Sequence, residues 1–347
     1  MSSATKAIAL AGAIVSVTTL GGAARAETVK LDIQSAWPLT MPASGTNAEF
    51  LGEQLNAASG GDFKVKVYSA GKLVPPLQIF DAVQQGTLDA GYTSPLYVAG
   101  RFPAVQLFGG VPFGPDAITY TGWLYDGGGR EIWSDIYEKQ GVVTIPCGLM
   151  DSESGGWYNF KIESIDDFKG KKLRFAGLAG EVLAKHGASV VLLSGGDIYP
   201  SLEKGIIDGT ELSMPAIDET LGLEDVAKYY YLPGWHQPAA MNELIINKRK
   251  WDEMDDSAHA LIEDMCLATN MRSIISTVVT NAEAVSKFEE KGTEIMSFPP
   301  AVLDALEATT ADVMAEQAET DPDFKRVWDS LQSYRDQAAP WADRRSN

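Results

Sequence analysis

Phe80-Asp81-Ala82-Val83-Gln84-Gln85-Gly86-Thr87-Leu88-Asp89-Ala90 reads as a short helix that stops at a glycine and turns into a strand. The same plan returns in Tyr199-Pro200-Ser201-Leu202-Glu203-Lys204-Gly205-Ile206-Ile207-Asp208-Gly209, where Ile-Asp-Gly replaces Leu-Asp-Ala at the strand. Glycine suits the left-handed conformation in which many helices end. Two such junctions in one chain point to two lobes of related architecture. Both strands run on into polar residues, Tyr92-Thr93-Ser94 in one and Glu211-Leu212-Ser213 in the other. In open α/β sheets ligands bind beyond the carboxyl ends of the strands. The two segments are therefore expected to form opposite walls of one cleft.

The flanking sequence agrees with an α/β reading. Between Thr28 and Trp37, Val29, Leu31, Ile33 and Ser35 alternate with Lys30, Asp32 and Gln34, the period of a half-buried strand. Asn47 to Ala58 places Ala48, Leu51, Leu55 and Ala58 on one helical face before Gly60-Gly61, and Phe63 to Tyr68 alternates again. Strand, helix, strand opens a βαβ unit. Further on, Leu261, Ile262, Met265, Met271, Ile274, Ile275, Val278 and Val285 keep a helical period from Ser257 to Glu290, with Asp255-Asp256-Ser257 to cap the start and Gly292 to close the end. One helix of about 50 Å, long enough to span both lobes, and two helices broken near Asn270 both fit this pattern. The tail from Pro299 reads as further helices interrupted at Asp321-Pro322.

The first 26 residues carry another signal. Lys6, the short apolar run Ala7–Leu20 and Ala24-Arg25-Ala26 have the layout of a secretory leader cleaved before Glu27. The run is too short and too rich in Gly, Ser and Thr to span a bilayer, so the exported chain is expected not to insert in the membrane. A net charge of −19 argues against nucleic acid or an anionic membrane surface as partner. Two cysteines, Cys147 and Cys266, are no disulfide framework, and Cys266 in its helical stripe reads as a buried thiol. His186, His236 and His259 are scattered without metal-ligand spacing. No phosphate loop, serine elbow or HExxH pattern is present.

Gly155-Gly156-Trp157, Leu173-Arg174-Phe175-Ala176-Gly177, Gly195-Gly196-Asp197-Ile198-Tyr199-Pro200 and Tyr229-Tyr230-Tyr231-Leu232-Pro233-Gly234-Trp235 follow one another in this order. The set resembles the substrate-binding subunits of tripartite ATP-independent periplasmic (TRAP) transporters, and most closely the branch that binds 2-oxo and 2-hydroxy monocarboxylates. The resemblance implies a two-lobed periplasmic binding protein fold of the α/β class with a long helix spanning both lobes. Residues 27–149 with about 237–275 would form lobe I, and 150–236 with about 276–347 lobe II. It further implies a periplasmic protein without catalysis, which closes around a small organic anion and presents it to the membrane subunits of the transporter.

Within that branch an arginine pairs with the ligand carboxylate, a position held here by Arg174, whose planar guanidinium matches a carboxylate bidentately. The resemblance also implies a bridging cation, Na+ or Ca2+, held by Glu153 and Glu211, with the Leu212 carbonyl and Gln237 beside them. Hard cations want such oxygen ligands. Three positions depart from the branch: Glu153 stands for an amide, Leu212 for a tryptophan and Gln237 for an acid, so a negative charge has moved rather than vanished and Ca2+ fits as well as Na+. Trp37, Tyr92, Tyr97 and Trp235 offer apolar area and a polar handle for the cleft, Tyr97 at a position that hydrogen-bonds ligand in the family. Two other functions use the same residues: a ligand domain reporting to a membrane receptor, and an exported lyase or hydrolase with Glu153 and Glu211 as acid and base.

Overall fold

The computed structural model describes Met1 and residues 28–345, so the expected leader and its cleavage point lie outside the described residues. Eleven strands, numbered in chain order, form two sheets. They are β1 (Val29–Ser35), β2 (Phe63–Tyr68), β3 (Ala90–Thr93), β4 (Val142–Met150), β5 (Gly156–Tyr158), β6 (Lys172–Arg174), β7 (Ser189–Val191), β8 (Gly209–Thr210), β9 (Tyr229–Tyr231), β10 (Ala240–Asn247) and β11 (Glu294–Met296).

The first sheet runs β2-β1-β3-β10-β4 and the second β11-β9-β5-β8-β6-β7. Read from the β2 and β7 edges, the first five strands of each follow one plan, and β11 extends the second sheet beyond β9. β1 is parallel to β2 and β3, as β6 is to β7 and β8. β10 then runs antiparallel to β3 and β4, as β5 does to β8 and β9. The echo in the sequence sits at equivalent places in this plan. Gly86 (φ 74°) and Gly205 (φ 65°) end the two helices in the left-handed region. Asp89 accepts a bond from the Asp32 amide of β1 (3.1 Å), and Asp208 accepts one from the Lys172 amide of β6 (2.8 Å). The repeated aspartate thus ties each short strand to its parallel neighbour.

Each sheet receives its fourth strand from the other. β4 leaves the first sheet and continues through residues 151–155 into β5, while β9 leaves the second and continues through 232–239 into β10. The two connections bond to each other where they pass: Glu153 N–H donates to the Gln237 carbonyl (3.1 Å) and Gly234 N–H to the Glu153 carbonyl (2.9 Å). A Cβ on Gly234 would stand 2.7 Å from that carbonyl oxygen, so only glycine permits the crossing.

A single helix, Asp256–Glu290, spans both lobes, with the Asp255 side chain capping the Ala258 amide at 2.8 Å. Its faces differ from the periodic pattern. Ile262, Cys266, Asn270, Ser273, Thr277, Ala284 and Phe288 are buried, while Met271, Ile275 and Val278 are more than 60% exposed. The helix does not break at Asn270, because that side chain faces inward and works on β4. Its Oδ1 accepts from the Gly148 and Leu149 amides, and its Nδ2 donates to the Pro146 carbonyl (3.2 Å) and the Tyr125 hydroxyl (3.0 Å). β4 needs such help where the β4–β10 register shifts between Met241 and Glu243. A buried polar group of this kind is retained because the backbone it satisfies would otherwise be orphaned.

One expectation is corrected. Cys147 and Cys266 form a disulfide, with Cα atoms 4.5 Å apart, because the long helix lies directly on β4. The chain end contacts both lobes. Helix Pro300–Thr320 belongs with the second lobe, where Gln317 bonds Glu181 at 2.6 Å. Helix Pro322–Arg345 returns to the first lobe instead, with Ser330 accepting from the Trp123 indole (3.1 Å) and Arg326 paired to Asp135 (2.5 Å). Among the described residues no helix is long and apolar enough to cross a membrane.

Candidate functional site

The site lies where the carboxyl ends of β1, β3, β6 and β8 face one another across the crossing connections. β6 and β8 run side by side past their ends, since the Glu211 amide donates to the Arg174 carbonyl (3.2 Å). Their side chains therefore meet. Arg174 Nη1 donates to Glu211 Oε1 at 2.8 Å and also to the Glu211 carbonyl, while Nε donates to the Leu193 carbonyl at 3.2 Å. Nη2 alone stays without a hydrogen bond among the described residues. The whole fork is thus not offered to a ligand: Nη1 and Nε are committed to the protein, and Nη2 is the nitrogen left over on a residue that lines the cleft.

Glu153 reaches the same point from the β4–β5 connection. Its Oε1 accepts from the Ser213 hydroxyl (3.1 Å), and its Oε2 is buried with no hydrogen-bond partner among the described residues. Gly155 and Gly156 bring it there. Gly156 has φ 105°, and a Cβ on it would lie 2.4 Å from the Thr210 carbonyl oxygen, so Gly-Gly-Trp is the sequence that lets β5 lie flat on β8.

The third member is one the sequence reading passed over. His236, next to the expected Gln237, is buried between the two acids, its Nε2 3.4 Å from Glu211 Oε2 and 3.9 Å from Glu153 Oε2. The Phe175 and Trp235 rings flank it edge-on, at 5.7 and 5.9 Å. One donor atom from each of Glu153, Glu211 and His236 can be drawn from a cluster no wider than 4.8 Å. The only earlier hint was position: His236 directly follows Pro-Gly-Trp, but the histidines were judged by their mutual spacing, which a crossing connection makes irrelevant.

The other expected residues divide. Trp37, Tyr97, Leu212 and Gln237 line the cleft together with Arg174, Glu153 and Glu211. Gln237 spends its side-chain amide on the Gly109 carbonyl of the opposite lobe (3.1 Å) rather than beside the two acids. Tyr92 and Trp235 stand behind the lining. Tyr92 is fully buried with its ring edge-on to Trp37 at 6.1 Å, and Trp235 packs on Phe113 at 5.6 Å. Asn242 also lines the cleft, turned inward by the bulge in β10, with its Nδ2 buried and unpartnered among the described residues. The cavity between these groups is small, about 40 Å³.

The electrostatics are unbalanced. Burial, and after it the neighbouring Glu211, pushes the Glu153 carboxyl well above its ordinary range. Burial acts to raise Glu211 too, but Arg174 and then His236 outweigh it and hold Glu211 below the usual value. Burial raises the Tyr97 phenol, which faces Arg174 and both acids across the cleft. Buried acids need hydrogen bonds or a cation, and the orphaned Glu153 Oε2 and His236 nitrogens are atoms a cation would satisfy. The donor set fits a metal ion held by Glu153, Glu211 and His236.

Charged groups gathered between two α/β lobes of matching topology define a protein of the class that closes around a small solute. The chain belongs to a named group within that class: the model of the bacterial extracellular solute-binding proteins, family 7, matches residues 37–321. Members receive a solute for a TRAP transporter and do not transform it, so the acid–base pair of a lyase or hydrolase is set aside. The chain is 33% identical over 315 residues to the monocarboxylate 2-oxoacid-binding periplasmic protein of Nostoc sp., covering 90% of this chain and 86% of that one. A TRAP transporter solute-binding protein from Bordetella bronchiseptica, solved with copurified calcium and picolinate, superposes with TM-score 0.88 at 31% identity, over 91% of this chain and 94% of that one. One from Pseudoalteromonas atlantica, with bound sodium and pyruvate, gives 0.87 at 27%, over 91% and 96%.

Proposed function

We propose that this protein captures a small 2-oxo or 2-hydroxy monocarboxylate, together with a cation, and delivers it in the periplasm to the membrane subunits of a TRAP transporter. The observation that carries this reading is the buried set Arg174, Glu211 and Glu153 facing a cavity of about 40 Å³. Arg174 Nη2 is free to meet a carboxylate. The two acids would repel that same carboxylate unless a cation lay between, and a 2-oxo acid supplies both a carboxylate and a carbonyl oxygen to such an ion. Relatives solved with bound sodium and pyruvate, and with copurified calcium and picolinate, support a combination of organic acid and cation. Glu153, Glu211 and His236 would hold the ion, and Trp37, Tyr97 and Leu212 would close over the ligand. The small cavity favours an acid of few heavy atoms.

Calorimetric titration of pyruvate into chelated and cation-loaded protein tests this. The reading expects binding with cation and a loss of at least about tenfold without it, or 1.4 kcal/mol. Equal affinity in both states contradicts it.

A further inference from the structure

We infer that His236 makes the cation site one for a borderline first-row divalent metal, of the Zn2+, Co2+ and Ni2+ class, in preference to Na+ or Ca2+. This rests on the proposed cation bridge and specifies which ion closes it. Three observations lead there. First, the donor set is mixed: two carboxylates and an imidazole nitrogen, all buried. Na+ and Ca2+ take oxygen ligands, whereas imidazole suits Zn, Cu, Fe and Ni. Second, Nε2 of His236 points at both acids, with Glu211 Oε2 at 3.4 Å as its near partner, and Oε2 of Glu153 has no hydrogen-bond partner among the described residues. The His236 separations of 3.4 and 3.9 Å are near the spacing of about 3.0–3.5 Å between ligands bonded at 2.0–2.2 Å around one ion, and the full set, no wider than 4.8 Å, would draw together on binding. Third, the formal charges require two positive units. With Glu153 ionised by the metal it would bind, Glu153, Glu211 and a ligand carboxylate, set against Arg174, leave two negative charges. A divalent ion cancels them and Na+ does not.

The imidazole is also held for the task. Phe175 and Trp235 fix the ring plane edge-on, and the connection carrying His236 is tied to Glu153 through the backbone on either side. A free acid chelating through its carboxylate and 2-oxo oxygen would complete the coordination, leaving the metal with oxygen and nitrogen donors together.

The test uses the exported chain after chelation. Zn2+, Co2+ and Ca2+ are titrated separately by calorimetry with pyruvate present, and bound Co2+ is followed by its visible absorption. The expected result is preference for Zn2+ and Co2+ over Ca2+ by about tenfold or more, the sense in which N/O sites rank these ions, with Co2+ bands characteristic of a nitrogen-containing shell. His236→Gln and His236→Leu are then expected to weaken Co2+ by about tenfold, shift its bands and narrow its lead over Ca2+, because the nitrogen donor is gone while the carboxylates stay. Should both variants fail to fold, nitrogen hyperfine structure in the paramagnetic resonance spectrum of Cu2+ bound to the parent decides the same point, and its absence overturns the inference. Ca2+ bound as tightly as Zn2+ overturns the choice of metal and leaves the cation bridge standing. Pyruvate binding with no cation of either class removes both.

Discussion

At the residue scale the consequence turns on how Arg174 is used. With Nη1 and Nε committed to Glu211 and Leu193, the side chain is a scaffold for the acid, and in the proposed function Nη2 would anchor the ligand. Lysine keeps the charge but has no planar fork to do both. Breaking a buried charge pair by removing one partner costs about 3–5 kcal/mol, or roughly two to four decades in affinity. Arg174→Ala is expected to lose at least about two decades of pyruvate affinity by calorimetry, with Arg174→Lys recovering little of it. Affinity within about threefold in a variant that melts like the parent would place the anchor elsewhere. A second residue makes a pH prediction away from the site. Burial raises the Glu243 carboxyl to about 8, although the Thr144 and Tyr137 hydroxyls donate to it. The folded chain then holds this proton up to about pH 8 while the unfolded chain releases it near pH 4.5. The folded state binds the extra proton across that window, so this group's contribution falls as pH rises through it and levels off above. Glu243→Gln should melt above the parent at pH 8.5 by the equivalent of about 2–5 kcal/mol and close to it at pH 5. A parallel pH profile for the two proteins would contradict this.

At the element scale, regular pieces were legible and their partners were not. Val29–Ser35, Phe63–Tyr68 and the cap at Asp255 follow from alternation and capping chemistry, which are local. The inward face of the long helix was misread at Met271, Ile275 and Val278, which are exposed, because the strand beneath needed Asn270 and small polar side chains there. That need arises from the bulge between β4 and β10, a pairing of segments far apart in sequence. The disulfide was missed for the same reason, since only the docking of the helix on β4 brings Cys266 to Cys147 across 119 residues. Closing so long a loop restricts the unfolded chain, and bridges of this kind contribute about 2–4 kcal/mol. Cys147→Ala with Cys266→Ala, or reduction of the parent, is expected to lower the melting temperature by about 2–5 °C or more at this chain length. An unchanged melting curve would show that the helix docks as firmly without the bridge.

At the scale of the whole molecule, the repeat between Phe80–Ala90 and Tyr199–Gly209 points to two lobes, and five strands of each sheet repeat in order, with β11 as the extra edge of the second. Arg174, Glu153 and Glu211, implied by the resemblance, meet in one cleft because they lie at strand ends and beside Gly-Gly-Trp. The site was not legible at His236 or Asn242, which enter through the swapped fourth strands and a bulge, features that no local pattern records. The swap also bears on mechanism. Glu153 and His236 lie on the two connections between lobes, whereas Arg174 and Glu211 lie on the second lobe and Trp37 and Tyr97 on the first. In the proposed function, a cation held by Glu153, Glu211 and His236 would fasten both connections to one lobe, and the ligand would complete the closure from the other side. The most direct test is native mass spectrometry of protein purified from its periplasmic fraction without added ligand. The account predicts a mass excess equal to one metal ion plus one small monocarboxylate, lost together on mild activation or chelation. An organic acid retained with no metal, or a bound solute lacking a carboxylate, would contradict it.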